Sequence, residues 1–315
     1  RDRDVTGVQT CALPICIGIN PALAREIKEA DLVLLIGGRF SEMPSSSYTL
    51  LDVPYPSQTL VHVYPDPSEL GRVYRPDLAI CAGPVEFASA LKALKAPAQP
   101  VWATRTEAMH AAYLSWSTPP TQGPGPVRMG PIMDWIEANT AEDTIFTNGA
   151  GNYATWVHRF HRFRDFATQA APTSGSMGYG LPAAVAAKAL HPDREVICFA
   201  GDGCFMMHGQ EFATAIRYDL PIIVCLVNNG IYGTIRMHQE REYPGRVSAT
   251  DLTNPDFAAF ARAYGGHGET VETTEDFAPA FERARASGKP SIIEIKLDPE
   301  AITPMKTLTQ IRDKT

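Results

Sequence analysis

Residues 195–229 read EVICFAGDGCFMMHGQEFATAIRYDLPIIVCLVNN. An apolar run, Glu195 to Phe199, leads into Gly201-Asp202-Gly203, and 24 residues separate Gly203 from Asn228-Asn229. Between them Gln210 to Tyr218 has helical character, and a second apolar run, Leu220 to Val227, closes on the asparagines. Short apolar runs bounded by turn residues mark strands buried on both faces. The stretch therefore predicts strand, turn, helix, strand, turn, with the two strands side by side. Asp202 and Asn229 then lie just past neighbouring strand ends, the edge where open α/β sheets hold ligands. A carboxylate, an amide oxygen and a nearby backbone carbonyl are hard donors. They suit Mg²⁺, which takes few protein groups and completes its octahedron with phosphate and water oxygens. The glycines let backbone N–H groups approach a diphosphate, and the following helix points its positive end the same way.

The rest of the chain narrows the class. Its 315 residues have room for about two domains. A net charge of −7 and the absence of a basic stripe argue against a nucleic-acid partner. No run of 18 apolar residues occurs, so no membrane span is expected. Six cysteines without CxxC spacing fit a reduced, cytoplasmic setting. Eight histidines form neither HxH nor HExxH, so zinc is not expected.

Residues 1–16 read as an atypical leader, without the charge pattern of a signal peptide. Residues 17–95 alternate helix and strand: a helix over Ala24–Ala30, a buried strand over Asp31–Ile36 ending at Gly37-Gly38, strands at Leu60–Tyr64 and Leu78–Ile80, and a helix over Val85–Leu94. That is a partial α/β domain with a parallel sheet. Residues 96–128, with Pro97, Pro100, Pro119, Pro120, Pro124 and Pro126, read as a linker. A second α/β domain is expected over 129–305, then a tail, 306–315. The fold class is α/β, with two parallel-sheet domains. Gly37-Gly38-Arg39 lacks the GxGxxG phosphate loop, which weighs against a nucleotide site in the first domain.

The spacing from Gly201-Asp202-Gly203 to Asn228-Asn229, with Asn229-Gly230-Ile231-Tyr232-Gly233 and Gly175-Ser176-Met177-Gly178-Tyr179-Gly180-Leu181-Pro182, resembles the motif of thiamine-diphosphate (ThDP) enzymes. From about residue 17 to 300 the chain resembles their acetolactate-synthase-like branch. The resemblance covers the latter part of the central domain and the diphosphate domain, so two α/β domains of the ThDP-enzyme type are expected. No glutamate here matches the catalytic one of the family's aminopyrimidine domain, and no catalytic residue is assigned. The chain looks like a C-terminal portion, or one half of a two-chain enzyme.

The resemblance implies Mg²⁺ held by Asp202, Asn229 and the carbonyl of Ile231, and diphosphate contacts from Gly201, the N–H groups of Gly203 and Cys204, and Gly151-Asn152-Tyr153. It implies a wedge under the cofactor from Met177, with the carbonyl of Gly175 accepting from the 4′-amino group and Ser176 between them. Met207 and Tyr232 are placed in the same pocket. Cys204 stands where many relatives have Ser, and Asn152-Tyr153 where acetolactate synthases have Gln-His. Arg236 is read as an ion-pair partner. Gly37 to Glu42 resembles a segment that contacts FAD, but Ser41 and Tyr64 depart from its acidic pattern, so FAD is not expected. The implied activity is decarboxylation of a 2-oxo acid such as pyruvate and ligation of the product to a second carbonyl. Simple decarboxylation and a non-catalytic diphosphate-binding subunit are the alternatives. A homo-oligomer, or a partner chain with an aminopyrimidine domain, is implied.

Overall fold

The apolar runs do form strands, and the strands build two separate parallel sheets. The structure, a computed structural model, describes residues 20–95 and 97–314. The leader expected over 1–16 lies outside the described residues. The chain divides after Ser117 into two compact units.

The first unit runs α1 (Pro21–Glu29), β1 (Leu32–Ile36), β2 (Thr59–Tyr64), β3 (Leu78–Cys81), α2 (Pro84–Lys92) and α3 (Ala103–Trp116). Helix α1 starts where Asn20 Oδ1 accepts the Ala22 N–H at 3.0 Å, with Pro21 at its first position. This is the arrangement that satisfies a helix start. The sheet order is β1-β2-β3, all parallel. Val33 and Leu35 pack towards Leu51, Leu60 and Tyr74. The expectation that β1 is buried on both faces is corrected: Leu32, Leu34 and Ile36 are 52%, 42% and 41% exposed. Alternate side chains leave a strand on opposite faces, and among the described residues the face of β1 that carries these three is open, whereas β2 buries both Leu60 and Val63. The proline-rich stretch 96–128 is also not loop throughout. Between Pro100 and Pro119 the sequence ATRTEAMHAAYLSW has neither Gly nor Pro, and it forms the whole of α3.

The second unit runs α4 (Met129–Asn139), β4 (Ile145–Asn148), α5 (Ala154–Phe160), β5 (Gln169–Ala170), α6 (Gly180–Leu190), β6 (Val196–Gly201), α7 (Asp202–Phe205), α8 (Phe212–Arg217), β7 (Ile223–Asn228), α9 (Gly233–Glu242), α10 (Phe257–Ala263), β8 (His267–Val271), α11 (Phe277–Ala286), β9 (Ser291–Lys296) and α12 (Leu308–Arg312). The helix expected over Gln210–Tyr218 is realised as a 3-10 turn, Gly209–Glu211, running into α8. The expected tail contains α12, because Thr307 and Gln310 form a capping box and buried Leu308 packs with Ile231 and Ile302.

The sheet order is β5-β4-β6-β7-β9-β8, parallel throughout. Period-two alternation splits the strands between two cores. Ile197, Phe199, Ile223, Cys225 and Val227 face α4, α5 and α11, while Val196, Cys198, Ala200, Val224 and Leu226 face α6, α8 and α10. Both faces of β6 and β7 are thus covered, which is why their sequences are continuous apolar runs. After β4 the chain steps outward to β5, then returns across β4 to β6. That reversal opens a crevice at the carboxyl ends of β4, β6 and β7.

Candidate functional site

At that crevice the second unit has an open cleft. Four strand ends contribute. Ala150 to Tyr153 follow β4, Asp202 to Cys204 follow β6, Asn229 and Ile231 follow β7, and Leu297 follows β9. Among the sequence-predicted residues, Gly151, Asn152, Tyr153, Met177, Gly201, Asp202, Gly203, Cys204, Asn229, Ile231 and Tyr232 line it. Gly175, Ser176 and Met207 do not. Ser176 is exposed and its Oγ lies 3.0 Å from Ser174 Oγ, while Met207 backs the turn at Gly178 instead. Trp156, Thr234, Ile235, Ala301 and Ile302 line the cleft without having been singled out in the sequence.

Asp202 is 3% exposed. Its Oδ1 accepts the Gly203 N–H at 2.8 Å, and its Oδ2 accepts the Gly230 N–H at 2.8 Å and Asn254 Nδ2 at 2.8 Å. The Gly203 N–H, expected to face a diphosphate, is therefore turned to Asp202 instead. Burial pushes the Asp202 carboxyl above its usual range, and the hydrogen bonds pull it back only in part. Among the described residues no Lys, Arg or His forms an ion pair with it. A buried carboxylate without a cation is costly, and a bound metal ion would remove that cost. Asn229 Oδ1 accepts the Ile231 N–H at 3.3 Å, so its oxygen sits at the same turn as the Ile231 carbonyl. Asn228, the last residue of β7, donates from Nδ2 to Glu294 Oε1 at 2.6 Å.

The glycines of the loop have a use beyond open backbone. A Cβ at Gly201 would come 2.7 Å from the Tyr153 ring, and one at Gly203 would come 2.6 Å from the Tyr232 ring. Only glycine lets these rings lie on the loop. Tyr153 O–H donates to Cys204 Sγ at 3.0 Å, and the Gly178 N–H donates to the same sulfur at 3.1 Å. Burial, with Cys204 beside it, pushes the Tyr153 phenol far above its ordinary range. The Asn152 amide is committed to structure: Oδ1 accepts from Thr234 Oγ1 at 2.9 Å and Nδ2 donates to the Ile302 carbonyl at 3.0 Å. Arg236 pairs with Thr250 Oγ1 at 2.6 Å and Asp251 Oδ1 at 2.7 Å.

The donors at Asp202, Asn229 and Ile231 are all oxygen, with one carboxylate. Among the described residues no basic side chain lines the cleft. A phosphorylated ligand there needs a metal to balance its charge, and a hard divalent cation needs phosphate oxygens to complete its shell. The residues present fit a diphosphate cofactor bound through a divalent metal.

The profile of the thiamine pyrophosphate enzyme C-terminal TPP binding domain matches residues 149–295, and that of the thiamine pyrophosphate enzyme central domain matches residues 10–91. Thiamine pyrophosphate is another name for ThDP. The chain belongs to the thiamine pyrophosphate enzyme family. Its relatives lie in the acetolactate-synthase-like branch. It is 31% identical over 281 residues to the acetolactate synthase large subunit of Parasynechococcus marenigrum, covering 85% of this chain and 44% of that protein. It is 29% identical to the acetolactate synthase isozyme 2 large subunit of Escherichia coli, covering 86% of this chain and 48% of that protein. It is also 29% identical to a putative thiamine pyrophosphate-containing protein of Bacillus subtilis, covering 92% and 49%. The chain thus spans less than half the length of these relatives. Among the described residues no helix is long and apolar enough to cross a membrane.

Proposed function

We propose that this chain forms the diphosphate- and metal-binding part of a ThDP- and Mg²⁺-dependent enzyme of the acetolactate synthase type. The reaction is decarboxylation of a 2-oxo acid such as pyruvate and ligation of the product to a second carbonyl compound. The observation that carries this reading is the buried carboxylate of Asp202 beside Asn229 and Ile231, which among the described residues has no ion-pair partner and no basic side chain in its cleft. The metal would be held by Asp202, the Asn229 amide oxygen and the Ile231 carbonyl. When bound, the cofactor's thiazolium supplies the electron sink that makes loss of CO₂ feasible.

The chain's own residues do the rest. Asp202 carries the negative charge that anchors the metal, and the turn after β7 presents the neutral oxygens. Tyr153 and Tyr232 wall the diphosphate end and exclude water from it. Met177, half-buried against the core, shapes the floor from the turn that Gly178 ties to Cys204. The glutamate that the resemblance assigns to an aminopyrimidine domain has no counterpart among these residues. The reading therefore assigns it to a segment or partner carrying that domain, in a cytoplasmic homo-oligomer or two-chain assembly. FAD has no part in this reading.

The test combines this chain with an acetolactate-synthase-type aminopyrimidine domain, ThDP, Mg²⁺ and pyruvate. Acetolactate as product supports the carboligase reading. Acetaldehyde alone would favour simple decarboxylation, and no turnover with intact metal-dependent cofactor binding would favour a non-catalytic module.

A further inference from the structure

Asp202 and Asn228 lie at the ends of adjacent strands, and a third residue ties them together from 26 positions beyond Asn228. Asn254 Nδ2 donates to Asp202 Oδ2 at 2.8 Å and to Asn228 Oδ1 at 2.9 Å. The Gly230 N–H reaches the same two acceptors, at 2.8 and 3.2 Å. We propose that Asn254 is a positioning residue for the metal-binding carboxylate: it fixes Oδ2 of Asp202 and so leaves Oδ1 as the oxygen that meets the cation. This rests on the reading of Asp202, Asn229 and Ile231 as the metal ligands.

The argument is one of lone pairs. Each carboxylate oxygen has two. Both of those on Oδ2 are taken, by Asn254 and Gly230. Oδ1 accepts the Gly203 N–H, one assigned donor against two on Oδ2, and the Asn229 N–H also faces the carboxylate. The two hydrogens on Asn254 Nδ2 match its two acceptors. Asn228 cannot turn its amide over, because its Nδ2 is held by Glu294, which is 1% exposed and paired with Lys296. Its Oδ1 therefore faces Asn254.

The backbone delivers Asn254 to this place. Residues 230–232 and 250–252 run antiparallel, with Tyr232 N–H donating to the Thr250 carbonyl and Leu252 N–H to the Gly230 carbonyl, both at 2.8 Å. Arg236 of α9 clamps this segment at Thr250 and Asp251. Two residues past Asn254, Asp256 Oδ1 caps α10 by accepting the Ala259 N–H at 2.7 Å. Asn254 sits between a bridge and a helix cap, so its backbone is fixed on both sides. Groups that orient a ligating carboxylate set metal affinity nearly as much as the ligand itself.

The experiment is a Mg²⁺ titration of the purified chain at fixed ThDP, followed calorimetrically, for wild type, Asn254→Ala, Asn254→Ser and Asp202→Ala. Thermal unfolding of each metal-free variant shows that it is folded. The expected result is a Mg²⁺ midpoint raised roughly ten- to a hundredfold in Asn254→Ala. ThDP affinity at saturating Mg²⁺ stays nearly wild type. The midpoint is partly restored in Asn254→Ser, whose hydroxyl can still donate. A purely structural role would lower the unfolding temperature without separating the Mg²⁺ midpoint from ThDP affinity. A wild-type midpoint in Asn254→Ala, where Asp202→Ala abolishes binding, overturns this inference and leaves the functional reading standing. No metal-dependent binding by wild type overturns both.

Discussion

Strand β1 ends at Gly37-Gly38 and strand β6 at Gly201-Asp202-Gly203, and each glycine pair turns the chain out of a parallel sheet. The turn after β1 is a corner. Gly37 has φ +69° with Pro84 packed against it, the Gly38 carbonyl lies 2.9 Å from His62 Nε2, and the adjoining charge, Arg39, is exposed. The turn after β6 is flanked by two other strand ends, buries a carboxylate that has no ion-pair partner among the described residues, and holds two aromatic rings on its glycines. β1 is an edge strand packed on one face, whereas β6 is central and packed on both. A glycine turn becomes a site when neighbouring strands converge on it and leave a charge to be compensated. Glycine alone does not do this.

That contrast can be broken at several points. The largest effect is expected in the β6 core. Phe199→Ala should cost about 3–5 kcal/mol of unfolding free energy, read by chemical denaturation; a loss below about 1 kcal/mol would show that the double-faced burial is not what holds the sheet. Next comes the carboxylate. Asp202→Asn should weaken Mg²⁺-dependent ThDP binding more than about a hundredfold, because one buried charge-assisted contact is worth several kcal/mol. The metal-free chain should be no less stable, since the substitution removes an uncompensated buried charge. Clear destabilisation would mean the carboxylate is structural.

A third effect is pH dependence in the second unit. His158 Nε2 is buried without a partner, and burial pulls its pKa down from the ordinary 6.5 to about 4. The folded state then binds fewer protons than the unfolded state between these values. Stability falls as pH drops from 6.5 towards 4, by up to about 3 kcal/mol, and is fully present above 6.5. Denaturation midpoints of wild type and His158→Gln across that window should diverge, with the variant flatter; parallel curves would remove His158 as the cause. The smallest effect belongs to β1. Leu34→Ala, on the open face, should cost less than about 1 kcal/mol, and a larger loss would show that this face is covered in solution.

The same contrast explains what the sequence disclosed. β6 and β7 were legible because strands buried on both faces carry unbroken apolar runs, and Gly201-Asp202-Gly203 and Asn228-Asn229 stand where those runs stop. Strand β8, HGETV, and helix α9, GTIRMHQERE, were not legible. β8 is an edge strand held by β9, and α9 buries only Glu240 along its length, held by Met237 against Ile302 and by the Arg236 clamp. Tertiary contacts override local pattern there. Asn254 was invisible for a related reason. Asn254-Pro255-Asp256 reads as a helix start, and nothing local shows that the chain has returned to Asp202. The bonds of Asn152 to Thr234 and Ile302 likewise join segments far apart in sequence.

The central claim is that Asp202 and its neighbours form a metal-dependent diphosphate site. The most direct measurement is calorimetric titration of this chain with ThDP, with Mg²⁺ and then with EDTA, beside Asp202→Ala. The account predicts binding in Mg²⁺ that disappears on chelation and in the variant. Binding that survives both would contradict it.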